Sequence, residues 1–119
     1  MAPVLYGGKQ SNDFTYIPDV AEANYLALTA PWDKWNQAYN IGTGEELSAE
    51  EAGDIVIEVY NKHNPKNAFK GDVIKHEGRS VDPSRFVFDT SKAEKMLGFK
   101  AKWSFKDGLD DMMKDGQVE

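Results

Sequence analysis

The chain has 119 residues, 40 % of them apolar, which suits one modest core and leaves no room for two full domains. Its 20 acidic and 14 basic side chains give a net charge of -6, a balance that repels nucleic acid and anionic membranes and leaves only a local basic site open. It has no cysteine, which excludes disulfides, thiol nucleophiles and cysteine-based zinc sites; with no secretory signal and no long apolar run, it reads as soluble and cytoplasmic.

"PVLY" (3–6) reads as a short extended segment ending at Gly7-Gly8, a pair free to take positive φ in a tight turn. A strand is expected over Phe14-Thr15-Tyr16-Ile17, with Phe14 and Tyr16 on one side. Pro18 closes it and opens a helix running to about Leu28, whose apolar side is Val20, Ala23, Tyr25, Leu26 and Ala27, and Pro31 stops that helix. "AYNIG" (38–42) reads as a brief strand turning at "GTG". Ser48 and Glu51 then form a capping box for a helix with Ala49, Ala52, Ile55, Val56, Val59 and Tyr60 on its buried face; Ile57 is a misfit.

"NPKN" (64–67) is a turn, "DVIKHE" (72–77) a strand, and a loop with Arg79, Asp82, Pro83 and Arg85 leads to a short "FVFD" strand. "SKAEKML" is helical and closes at Gly98; Ser104 caps a last helix with Phe105, Leu109, Met112 and Met113. The order is α/β: a small, fragmentary sheet of short strands with three to four helices, one small domain over 1–119 with a frayed tail at 114–119.

Catalytic and metal signals are sparse. His63 and His76 stand in no metal-ligand spacing, the serines have neither a partner base nor a Gly-x-Ser-x-Gly elbow, and the Glu50-Glu51 and Asp110-Asp111 pairs diverge on helices. "GTGEEL" has Leu47 where a dinucleotide fingerprint needs its third glycine, and Glu45 and Glu46 would repel a pyrophosphate, so it reads as a plain turn. Arg79 and Arg85 flank Asp82-Pro83 and suit a phosphate fork, the alternative being a surface pair of Arg79 with Asp82. Trp32, Trp35 and Trp103 carry more apolar surface than so short a chain usually hides, which points to an interface.

The runs "VLYGGKQSNDFTYIPDVAEANYLAL", "AYNIGTGEELSAEEAGDIV" and "GRSVDPSRFVFDTSKAEKMLGFKAKWSFKDGLDDM" together resemble the carboxy-terminal third of the extended short-chain dehydrogenase/reductase family, close to its UDP-glucose 4-epimerase-like nucleotide-sugar epimerases and dehydratases. That resemblance implies a small substrate domain that clamps the nucleoside diphosphate of a UDP- or dTDP-sugar, beside a Rossmann domain that holds NAD and a Tyr-x-x-x-Lys pair. The chain has neither a Gly-x-x-Gly-x-x-Gly fingerprint nor a Tyr-x-x-x-Lys pair, so no complete Rossmann domain, bound cofactor or catalytic residue is expected in it, and it is expected to be a fragment inactive alone.

The resemblance further implies that Val4 and Tyr6 meet the base through the backbone and that Arg79 holds the diphosphate, with Asp82 as the acid of its motif. Asn12 stands where relatives carry a second phosphate arginine, and Phe86 replaces an aromatic beside the substrate. Asp13 and Asp19 are expected to be structural, a turn anchor and a helix cap. Two rival readings are a stand-alone nucleoside-diphosphate-binding module and an interaction domain that associates with itself or a partner chain through exposed aromatics.

Overall fold

A computed structural model describes residues 4–77 and 85–114. The elements in chain order are β1 (Val4–Tyr6), β2 (Ser11–Asn12), α1 (Ile17–Thr29), β3 (Leu47–Ser48), α2 (Ala49–His63), β4 (Ile74–His76), α3 (Ser91–Leu97) and α4 (Phe105–Lys114). Single 3-10 turns cover Trp32–Lys34 and Pro65–Asn67. Strands β1 and β4 pair in parallel, with Tyr6 opposite His76, and β2 pairs antiparallel with β3, with Asn12 opposite Leu47.

The helix ends follow local chemistry. The Ser48 hydroxyl accepts from the Glu51 N–H while the Glu51 carboxylate accepts from the Ser48 N–H, both at 3.0 Å, which occupies two N–H groups at the start of α2. Gly98 closes α3 at φ 70°, a left-handed conformation that a Cβ disfavours. The Ser104 hydroxyl accepts from the Asp107 N–H at 3.1 Å, at the start of α4.

Several expectations change. Residues 14–16 are not a strand: they run without sheet partners into α1, which begins at Ile17. Phe14 and Tyr16 do share a side, lining one groove, where Phe14 packs at a tilt on Phe105 at 4.9 Å and Tyr16 meets Trp103 edge-on at 5.2 Å. Neither "AYNIG" nor "FVFD" forms a strand, because a strand needs a hydrogen-bonded neighbour and neither has one among the described residues. Asp19 is not a helix cap. Its carboxylate, 2 % exposed, accepts from the N–H groups of Lys102 and Trp103 at 3.0 and 3.1 Å and ties α1 to the chain between α3 and α4.

The buried core is small. Ala23, Ala93 and Phe99 form its centre, with Leu26, Tyr39, Ile41, Leu97 and Ala101 packed partly against it. Of the apolar side expected on α1, only Ala23 is buried, while Val20 and Tyr25 are exposed together with Ile17 and Leu28. On α2, Ala52 and Val59 are buried and Val56 and Tyr60 are open. The molecule is a flat slab of 53 × 36 × 17 Å whose radius of gyration, 17.1 Å, exceeds the roughly 13–14 Å of a compact chain this long. Among the described residues no helix is long and apolar enough to cross a membrane.

Candidate functional site

The segment from β1 to β3 builds the site. Gly7 and Gly8 turn the chain at φ 80° and 125°, and the Gln10 amide braces the turn: its Oε1 accepts from the Gly8 N–H and its Nε2 donates to the Tyr6 carbonyl, both at 2.7 Å. Val4 and Tyr6, two apart on β1, share its exposed side, and the Tyr6 ring stacks on His76 with centroids 5.2 Å apart.

Two carboxylates then gather three stretches of chain. Asp13 accepts from the Thr43 N–H at 2.9 Å, the Thr43 hydroxyl at 2.6 Å and the Gly44 N–H at 2.9 Å, with a longer 3.4 Å contact from the Phe88 N–H. Three donors of the "GTG" turn are therefore spent on the protein's own anion, so Asp13 is the anchor the sequence suggested and its carboxylate sits where a phosphate would need those N–H groups. Gly42 lets the Phe88 ring and the Asp13 carboxylate lie against it, for a Cβ there would fall 2.8 Å from both.

Glu46 makes the second knot. The Ser11 hydroxyl donates to its Oε1 at 2.7 Å, and Arg85 Nε lies 2.8 Å from each of its oxygens. The Ser11 hydrogen bond first, and the Arg85 guanidinium next, hold the Glu46 carboxyl below the usual carboxylate range. Arg85 thus spends its Nε on Glu46, while its side chain stays 72 % exposed; Arg79, the other half of the expected phosphate fork, lies outside the described residues.

Asn12 lies between the two knots. Ser11 and Asp13, two apart, take one side of the chain and Asn12 the other. Phe86 follows Arg85, and its ring meets Phe88 edge-on at 5.0 Å. The structure brings the Asn12 and Phe86 segments together through Ser11, Glu46 and Arg85. Val4 and Tyr6 sit on the other two-stranded sheet, and no hydrogen bond or ring contact among the described residues joins them to Asn12 or Phe86. Arg79 and Asp82 lie outside the described residues. In the sequence Glu46 stands out only as a charge unfriendly to phosphate; nothing local marks it as the partner of residues 35 and 39 positions away.

Elsewhere, a groove of about 580 Å³ runs between residues 14–18 and α4, walled by Phe14, Tyr16, Phe105 and Leu109. Among the described residues no cluster of three or more His, Asp or Glu side chains is placed to hold a metal ion.

Two short two-stranded sheets and four helices make up a small α/β module. The chain belongs to the family described as GDP-mannose 4,6 dehydratase, whose model matches residues 2–112. It is 38 % identical over 109 residues to a Methanocaldococcus jannaschii protein that carries the provisional name UDP-glucose 4-epimerase, a match covering 91 % of this chain and 32 % of that one. The fold superposes on UDP-glucose 4-epimerase from Thermotoga maritima with a TM-score of 0.81 at 23 % identity, covering 98 % of this chain and 36 % of that one. It superposes on UDP-glucuronic acid 4-epimerase from Bacillus cereus, solved with UDP-glucuronic acid and NAD, with a TM-score of 0.70 at 28 % identity, covering 95 % and 35 %. The chain spans about a third of the length of the relatives it matches.

Proposed function

We propose that this chain is the sugar-nucleotide-holding part of an NAD-dependent epimerase or dehydratase, that it folds as one domain over residues 1–119, and that alone it holds its ligand without converting it. The observation that carries this reading is the likeness, in sequence and fold over 95 % of the chain, to an epimerase solved with UDP-glucuronic acid and NAD. In this reading the backbone at Val4 and Tyr6 meets the base, Arg79 with its neighbour Asp82 meets the diphosphate, and Phe86 walls the sugar. Asn12 offers an amide where a guanidinium would grip phosphate. Giving up one charge-assisted bond of about 1.5–3 kcal/mol weakens the diphosphate grip ~10- to 100-fold against a relative with arginine there.

The same reading accounts for the bare side of α1. Ile17, Val20, Tyr25 and Leu28 are exposed on a helix whose opposite side already packs on the core, and a helix apolar on both sides belongs between two layers. The NAD-holding portion supplies the second layer, together with the pair that moves the hydride.

An NMR titration of the labelled chain with UDP tests the binding role. Shifts clustered at residues 4–14 and 79–86 are the expected result, and a flat spectrum at millimolar UDP removes the reading.

A further inference from the structure

We propose that Glu46 is a positioning residue for the sugar-nucleotide site: by clasping Arg85 with one carboxylate already held by Ser11, it sets Phe86 and Asn12 on the open face. This inference rests on the binding role proposed above and names the group that shapes the site.

The geometry is specific. Strands β2 and β3 pair over two residues each, and backbone bonds from the Ala49 N–H to the Gln10 carbonyl at 2.9 Å and from the Glu50 N–H to the Gly8 carbonyl at 3.1 Å carry the contact on toward α2; none of these bonds holds residues 85–87. Glu46 directly precedes β3 and reaches diagonally across to Ser11, which the β2–β3 pairing already sets opposite Ser48, so its side chain braces that existing rung. Arg85 Nε, equidistant from both Glu46 oxygens, then binds a third stretch of chain to that rung. Phe86 and Phe88 touch as residues two apart on one side of an extended segment do, which turns Arg85 to the other side. Ser11 and Arg85 therefore meet at Glu46 on one side of the chain, Ser11 buried and the Arg85 side chain 72 % exposed, while Asn12 and Phe86 lie on the other. The longer contact of the Phe88 N–H with Asp13 is the second fixing point of the same segment. With Glu46 gone, residues 85–87 keep no hydrogen bond to the β2–β3 pair among the described residues.

Glu46 touches no substrate in this proposal, and the clasp is not an anion site, because the Glu46 charge cancels that of Arg85. Its effect reaches the ligand through Phe86 and Asn12. The pair must then behave as a unit: breaking either half frees the same segment, and breaking both frees nothing more.

The test is a double-mutant cycle on the full chain with Glu46→Ala, Arg85→Ala and the double variant, each titrated with UDP-glucose and with UDP. Each single variant is expected to weaken UDP-glucose ~3- to 10-fold and UDP less, with the double variant no weaker than either single. Arg85→Lys, which keeps the charge, recovers part of the loss. Unchanged UDP-glucose affinity in both singles, additive losses, or equal losses for UDP and UDP-glucose would overturn the positioning role. Ring spectra of labelled phenylalanine, taken without ligand, separate this proposal from the reading beneath it. If the parent chain binds neither compound, the sugar-nucleotide role and the positioning role both fall. The clasp itself is upheld if the Phe86 ring signals move toward unstructured values in Glu46→Ala and refuted if they do not.

Discussion

Asp19 brings a carboxylate into a place that is 2 % exposed, where the N–H groups of Lys102 and Trp103 converge on it. A carboxylate buried this far persists only when donors replace the water it loses. Removing it strands two N–H groups as well. Asp19→Ala is therefore expected to destabilise the chain by about 3 kcal/mol in urea denaturation. Asp19→Asn, which keeps one acceptor, is expected to cost less, and equal stability of parent and alanine variant would refute the tie. Position 19 reads in the sequence as an acid in the first turn of a helix, and a cap is the natural inference from local rules. Its donors lie more than 80 residues away, a separation that no local pattern encodes. Asp13 was legible as an anchor because its turn, 30 residues on, carries glycines in a recognisable string.

At the scale of elements, the helices were legible and half of the strands were not. Helix α2 announces itself through its capping box and α3 through Gly98, both local features. The stretches 14–17, 38–42 and 86–89 have the composition of strands yet form none, since strand character depends on a neighbour that composition cannot supply. The short β2–β3 pair was invisible for the opposite reason: two residues carry no period.

Helices α2 and α4 are joined by charge. Asp110 accepts from Lys62 and lies against His63, both at 2.8 Å, with Lys114 at 3.4 Å, and Lys106 pairs with Glu58 at 2.7 Å. The Lys62 hydrogen bond first and that of His63 next hold the Asp110 carboxyl well below the ordinary aspartate range. A carboxyl whose folded-state pKa is depressed adds stability above its unfolded pKa, near 4, and loses it as pH falls toward the folded value. Acid denaturation is expected to set in below about pH 4, and Asp110→Asn is expected to be less stable at pH 7 with a shallower acid limb. An acid limb identical in parent and variant would show that this carboxylate does not couple the two helices.

At the scale of the molecule, a slab 17 Å thick with Ile17, Tyr25, Leu28 and Trp32 all more than 60 % exposed has too little interior for its apolar content. Trp32 and Trp35 pack on each other at 5.2 Å and stay open, where the sequence pointed to an interface. Under the proposed function, the strand-like stretches without neighbours and the bare side of α1 would be the surfaces that an NAD-holding portion covers. The family was legible from strings such as "AYNIGTG" and "DTSKAEKMLGF", whereas the Glu46 clasp and the Asp19 tie emerge only in three dimensions, because both join segments far apart in sequence.

The most direct measurement places the chain with UDP-glucose and NAD in one NMR tube and follows the protein and sugar signals together. The account predicts shifts at Tyr6, Asn12 and Phe86 while the glucose signals stay unchanged for hours. Appearance of UDP-galactose or a keto sugar, or protein signals that do not move, would contradict it.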